Sequence, residues 1–462
     1  MSEPETRETF HGEDGIELCR YPNGGMPVLL LHGAGASSRT FTIPGPDIDG
    51  NPRCLRDWLL GQGFEPWLLD WRGSADVVKK GADLLLKNFD LDEAATNDIP
   101  SALKTIREVR GDAAEIGAVG HCLGAGALAQ AIAMGKVTSG EKPPLTHVVL
   151  LALGLFYVSP VFWGVLKAED RPLERLIRDP NNKVGALDPS GKDPPWPEEI
   201  ERIYQGPLPV PHTPKNNSSP VLEMCNRLSF LYGLPYREEK LVPEIHHDTH
   251  TVVFDGGRCR PRSGWLIEGE TTGARGILHD LETRGGSWRN GDAAGVMRLT
   301  EASGRFQRGE KLMGSAPKSE AKRFIACSKR AIFAEAELPR QFGAIPLRMY
   351  VQAARNVLRG QGDVPKGLAG KFSDSLNGPG LVDVGSLANF RGLTTTLITG
   401  KKNQLWHRKS VYNMCEWLSR DPQIPERARR RCVLPDYGHQ DLLWGKSARE
   451  EVFPKIREGL RR

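Results

Sequence analysis

Ile116-Gly117-Ala118-Val119-Gly120-His121-Cys122-Leu123-Gly124-Ala125-Gly126-Ala127-Leu128 decides how this chain reads. The short apolar run Ile116 to Val119 predicts a strand, and the Ala- and Leu-rich stretch Ala125 to Met134 predicts a helix. Between them, Gly120-His121-Cys122-Leu123-Gly124 has the form G-x-C-x-G, a nucleophile elbow with the reactive side chain at the tip of a strand–turn–helix. The glycines serve the backbone, because the tip residue is strained and its neighbours must pass closely across the turn. Such elbows ordinarily carry Ser, and this one carries Cys122. A thiol with an ordinary pKa of about 8.5 is a few per cent ionised at neutral pH, and a neighbouring His or a helix N-terminus lowers that value. A Cys can equally be a small buried apolar residue, so the rest of the chain has to decide.

Three other segments bear on it. Pro27 to Leu31 leads into His32-Gly33-Ala34-Gly35-Ala36-Ser37-Ser38. Trp67-Leu68-Leu69 leads into Asp70-Trp71-Arg72-Gly73-Ser74, and Cys432-Val433-Leu434 leads into Pro435-Asp436-Tyr437-Gly438-His439. In the order H-G-x-G, D-x-R-G, G-x-C-x-G and a late G-H, over residues 26 to 156 and about 390 to 460, the chain resembles an α/β-hydrolase. The resemblance implies an α/β fold with a mostly parallel central sheet and a large inserted cap. The expected core strands are Val28–Leu31, Pro66–Leu69, Ile116–Val119, His147–Leu153, Thr394–Thr399 and the run before His439. Helical patterns span 92 to 108, with Asp92 as N-cap, and 409 to 419. Residues 1–156 and 389–462 are read as core and 157–388 as the cap. The segments Leu30 to Phe41, Leu69 to Ser74, Tyr437 to Asp441, Cys225 to Gly233 and Asp248-Thr249-His250 are similar to the α/β-hydrolase module associated with cholesterol-oxidase-type flavoproteins. No flavin-binding glycine motif is present, and 255 to 340 is extra length relative to that module.

At 462 residues the chain exceeds one ordinary domain. A net charge of +5 over that length is mild, and the basic run Arg427 to Arg431 lacks interleaved aromatics, which argues against nucleic-acid binding. The eight cysteines show no C-x-x-C or zinc-like spacing, and the polar first ten residues have no apolar signal core. A reducing, cytoplasmic setting is the expectation. Leu145 to Leu166 is long and apolar, but Gly154 and Pro160 interrupt it, so a buried strand followed by an apolar segment is expected rather than a membrane span.

The chemistry follows from the elbow. Cys122 attacks an acyl carbonyl and His439, in a turn after a strand, is the general base and later acid. The oxyanion hole comes from the backbone N–H groups of Leu123 and of Ala34 or Gly35. The resemblance places the triad acid a few residues after the strand 394–399, yet the chain reads Gly400-Lys401-Lys402-Asn403 there. Asn403 suits a Cys centre, since Cys-His-Asn is a working combination; Asp441 and Asp70 are the rival partners. His121, His32 and Trp163 are candidate substrate-lining residues, Trp163 with Phe156, Tyr157 and Phe162 along an apolar channel. His246 and His250 would share a face if helical, but lack the H-E-x-x-H glutamate and a third ligand, so no metal and no cofactor is expected.

The expected activity is that of an acyl hydrolase of the esterase, lipase or thioesterase kind, acting on a lipophilic or bulky acyl ester through an acyl-thiol intermediate. An acyltransferase of the same chemistry stays open, because G-x-C-x-G also occurs in polyhydroxyalkanoate synthases, which are acyltransferases, as well as in dienelactone hydrolases. So does a catalytically silent binding module associated with an oxidoreductase. The residues do not specify an oligomeric state.

Overall fold

The computed structural model describes residues 7–12, 16–45, 47–80, 89–112, 114–137, 145–158, 186–187, 240–343, 345–346, 349, 352–353, 356 and 384–461. Its strands in chain order are β1 Glu8–His11, β2 Glu17–Arg20, β3 Met26–Leu31, β4 Phe64–Asp70, β5 Ile116–His121, β6 Leu145–Leu151, β7 Ala186–Leu187 and β8 Thr249–Gly257. They continue with β9 Leu266–Gly269, β10 Arg275–Gly285, β11 Ala293–Ser303, β12 Lys311–Ser315, β13 Arg323–Ala334, β14 Ile345–Pro346, β15 Thr394–Gly400 and β16 Arg429–Leu434. Two compact units divide the chain, one of Met1–Gly45, Pro52–Leu241 and Pro339–Arg462, the other of Pro46–Asn51 and Val242–Leu338.

The first unit is built on an eight-stranded sheet in the order β1-β2-β4-β3-β5-β6-β15-β16. β1 to β2 and β2 to β4 pair antiparallel, and from β4 to β16 every neighbouring pair is parallel. This is the α/β-hydrolase fold. β3, β4, β5 and β6 are buried nearly end to end, as strands covered on both faces must be. The strand order reverses between β3 and β5, so the carboxyl ends of these two strands open the crevice where ligands bind in open parallel sheets. Both of the sequence's most chemically loaded turns, 32–38 and 121–124, leave the sheet there.

The helix Leu123–Ala133 is buried at every position, and its Ala and Gly residues let it lie against the sheet without displacing it. Behind it the expected helix of 92–108 begins earlier than read. Its N-cap is Asp90, whose side chain accepts from the Asp92 N–H in a capping box closed by Glu93. The chain then widens through a π turn, Ala94–Asp98, into the helix Ile99–Arg110. The wide turn falls just before Pro100, which has no N–H for the preceding turn. Asp92 is thereby free of capping, and its carboxylate takes Gln130 Nε2 and Gln352 Nε2, fastening the helix of 123–133 from behind.

The second unit is a closed six-stranded antiparallel barrel in the order β10-β11-β8-β13-β12-β9. Its interior is filled by Val252, Phe254, Ile267, Leu278, Met297, Leu299, Leu312 and Ile325, all buried. Closure removes the unpaired edges an open sheet would leave. The stretch 255–305, within the extra length, is therefore mostly strand. The helical face proposed for His246 and His250 does not exist, because His246 follows the short turn Pro243–Ile245 and His250 lies in β8.

Candidate active site

Cys122 joins β5 to the helix Leu123–Ala133 with φ 56 and ψ −129. A left-handed backbone at a residue with a Cβ costs on the order of 1–3 kcal/mol and needs support from its surroundings. The support is visible. The Cys122 N–H donates to the Leu151 oxygen at the end of β6 (3.1 Å), and its carbonyl accepts from the N–H groups of Ala125 (3.0 Å) and Gly126 (3.1 Å). Close backbone passage explains the glycines. A Cβ on Gly124 would lie 2.2 Å from the His32 oxygen, and one on Gly120 2.6 Å from the Ala125 Cα. One on Gly33 would lie 2.9 Å from the Cys122 Cβ. The elbow and the loop after β3 are thus interlocked.

That loop is pinned at several points. His32 Nδ1 donates to the Gly33 oxygen (2.7 Å), its ring stacks on Trp71, and the Trp71 indole donates to the His32 oxygen (3.1 Å). Asp70 accepts from the Ser38 N–H (2.8 Å), the Ser38 hydroxyl (2.5 Å) and the Ser74 hydroxyl (2.7 Å). His32 Nε2 lies 3.6 Å from the same carboxylate. Burial pulls the His32 pKa down while Asp70 opposes it. His32 and Asp70 are therefore occupied in shaping the loop. Of the two N–H groups considered for the oxyanion hole, that of Gly35 is spent on the Gly73 oxygen (3.0 Å). That of Ala34 makes no backbone bond among the described residues.

Cys122 is half-buried, and burial pushes its thiol up to about 11 against the pull of the Trp406 side chain and the Leu123 backbone N–H. Trp406 packs edge-on against Tyr157, with ring centres 5.4 Å apart. Phe156 and Tyr157, read as channel residues, lie in the core at 5% and 2% exposure, with Phe156 against Trp417. Trp163 and Phe162 fall outside the described residues. Trp406 itself was readable only as a core tryptophan; its place three residues after Asn403 was the available signal.

His439 follows β16 in a turn zipped to the end of β15. Lys401 N–H donates to the Leu434 oxygen (2.8 Å) and Lys402 N–H to the Tyr437 oxygen (3.0 Å). A Cβ on Gly400 would sit 2.0 Å from the Tyr437 oxygen, so only Gly permits this approach. The zipper sets the Asn403 side chain beside the His439 ring, with Nδ2 3.2 Å from Nδ1. Asp441 instead accepts the Gly438 N–H (2.6 Å) and tightens the turn, as Asp70 tightens its own. His121 is buried against His439, rings 4.7 Å apart, and its Nε2 donates to the His439 oxygen (3.3 Å). Burial and the His121 ring hold His439 well below the ordinary imidazole value, and burial brings His121 down to about 4. His439 Nε2 is buried with no hydrogen-bond partner among the described residues. Among those residues no cluster of three or more His, Cys, Asp or Glu side chains suits a metal ion, no helix is long and apolar enough to cross a membrane, and the seven cysteines are unpaired.

Residues 28–248 match the model of the alpha/beta hydrolase family. Among solved structures, a lipase in an open form is 12% identical over 99% of both chains, with a TM-score of 0.41. An esterase from Thermogutta terrifontis is 13% identical over 99% of this chain and 98% of its own, TM-score 0.40. A dienelactone hydrolase from Anabaena variabilis is 20% identical over 31% of this chain and 62% of its own, TM-score 0.23. A search of curated proteins returns no match. The fold assignment rests on the strand order and the family match: this chain has the α/β-hydrolase fold, and over residues 28–248 it matches the alpha/beta hydrolase family.

Proposed function

We propose that the chain is an acyl hydrolase of ester or thioester bonds, with Cys122 as nucleophile and an acyl-thiol intermediate. The observation that carries this reading is the Cys122 backbone, φ 56 and ψ −129 at the tip of strand and helix, held by three main-chain bonds. Such strain persists where a side chain must be presented, and a buried structural cysteine has no use for it. The sulfur attacks the acyl carbon and the carbonyl electrons move onto oxygen. The Leu123 and Ala34 N–H groups receive that oxyanion. Collapse breaks the bond to the alcohol or thiol, which leaves with the proton the Cys122 thiol gave up. Water then adds to the acyl-thiol, the carbon–sulfur bond breaks, and the acid leaves as the thiol regains its proton. His439 carries these protons and Asn403 orients it. The apolar surround of the sulfur (Leu123, Trp406, Tyr157) favours a lipophilic acyl group.

Release of p-nitrophenol from short- and medium-chain acyl esters, at neutral and alkaline pH, tests this against Cys122→Ala. Loss of turnover in the variant supports the reading. Equal turnover in both removes Cys122 from the reaction.

A further inference from the structure

The orientation of the Asn403 carboxamide decides where His439 carries its proton. Asn403 Oδ1 accepts from the backbone N–H groups of Leu405 (3.0 Å) and Trp406 (3.0 Å). Exchanging oxygen for nitrogen there would set donor against donor, so the atom 3.2 Å from His439 Nδ1 is the amide nitrogen. An amide N–H donates, so Nδ1 accepts, and a neutral imidazole accepting at Nδ1 carries its hydrogen on Nε2. Nε2 is the nitrogen left to take a thiol proton, and in this arrangement it has no lone pair to offer. A carboxylate at position 403, or an amide turned the other way, would reverse the tautomer.

Resting on the reading of Cys122 as nucleophile, we propose that Asn403 is a positioning residue that holds the centre at rest. It keeps His439 as the Nε2–H tautomer until its carboxamide turns end for end. Turned, Oδ1 accepts the Nδ1 hydrogen and Nε2 is open to the thiol proton. The turn requires the Leu405 and Trp406 N–H groups to move off the amide. Trp406 belongs to the resting arrangement twice over, since its backbone N–H holds Oδ1 and its ring packs edge-on against Tyr157. A shift of the Leu405–Trp406 backbone as an acyl group arrives releases the amide. The titratable groups facing the pair agree with a neutral resting state. His121 lies against His439 and disfavours an imidazolium, and burial works against the charged form of both His439 and Cys122.

The test uses the full chain with 15N-labelled histidine. Long-range proton–nitrogen spectra, with His439 assigned by its loss in His439→Gln, are expected to show hydrogen on Nε2 at neutral pH. Iodoacetamide alkylation of Cys122, read by peptide mass, is expected to rise only toward alkaline pH and to be unchanged in His439→Gln. Asn403→Asp should raise alkylation at neutral pH by about tenfold or more, one pKa unit or more of thiol, and the gain should vanish in the Asn403→Asp/His439→Gln double variant. Hydrogen on Nδ1 at rest, a His439-dependent alkylation in the wild type, or no gain in Asn403→Asp overturns the proposal. If Asn403→Asp does not fold, the wild-type spectrum and the His439→Gln comparison still decide. Ester turnover that survives Cys122→Ala sinks the nucleophile reading instead, and leaves the tautomer result standing.

Discussion

His121 Nε2 lies 3.3 Å from the backbone oxygen of His439, with the two rings 4.7 Å apart. A histidine at the end of β5 thus fixes the turn that carries the other histidine. The bond serves position rather than substrate contact, and burial keeps the His121 ring that makes it neutral.

Burial of His121 at that contact sets an acid limit on stability. His121 is drawn from the ordinary 6.5 down to about 4 in the folded chain. Between those values the unfolded chain binds a proton that the folded one refuses, so stability rises with pH across this window and is complete above it. The contribution is about 3 kcal/mol, and His439 adds to it with the same sign. Urea midpoints measured from about pH 4 to about pH 7.5 should fall on the acid side. His121→Gln, which can still donate to the His439 oxygen, should flatten the slope. A midpoint constant across the window in the wild type would contradict this.

The interlocked elbow predicts a sharp contrast between two glycines. A Cβ on Gly124 meets backbone, the oxygens of His32 at 2.2 Å and Leu31 at 2.8 Å, and backbone cannot step aside cheaply. Gly124→Ala should cost at least about 1–3 kcal/mol in denaturant melts. A Cβ on Gly33 meets the Cys122 side chain, 2.9 Å from Cβ and 3.4 Å from Sγ. Gly33→Ala should cost less stability while slowing Cys122 acylation at least about tenfold, because the Cys122 Cβ that carries the sulfur is what must shift. Equal effects of the two on stability and on acylation would speak against the interlock.

The barrel has its own reporter. Phe254 is 1% exposed in its interior, with its ring centre 5.3 Å from that of Trp288. Phe254→Ala should destabilise the barrel by about 3–5 kcal/mol and change the Trp288 emission, checked by denaturation followed by fluorescence. A loss under about 1 kcal/mol would mean the site collapses onto the missing ring.

The parts legible in the sequence are those where local pattern and tertiary demand coincide. β3 to β6 are apolar runs because both faces are covered, and the elbow shows in its glycines because backbone approach admits nothing larger. The barrel was hidden for the opposite reason. β10 buries only Gly276 and Leu278 among its eleven residues, so alternation barely registers. Its pairing with β11 shifts register between Arg275 and Ile277, Leu278 and Asp280, and Thr283 and Gly285. Asp90 rather than Asp92 caps its helix because the capping box reaches Glu93, three residues on. The orientation of the Asn403 amide could not be read, since the two N–H groups that set it converge only after the loop has folded.

The most direct measurement is the intact mass of the protein after brief exposure to a p-nitrophenyl acyl ester, followed by peptide mapping. The expected result is one acyl group, on Cys122, formed faster at alkaline than at neutral pH and absent in Cys122→Ala. An acyl group found on another residue, or turnover that proceeds undiminished in Cys122→Ala, would contradict a cysteine centre.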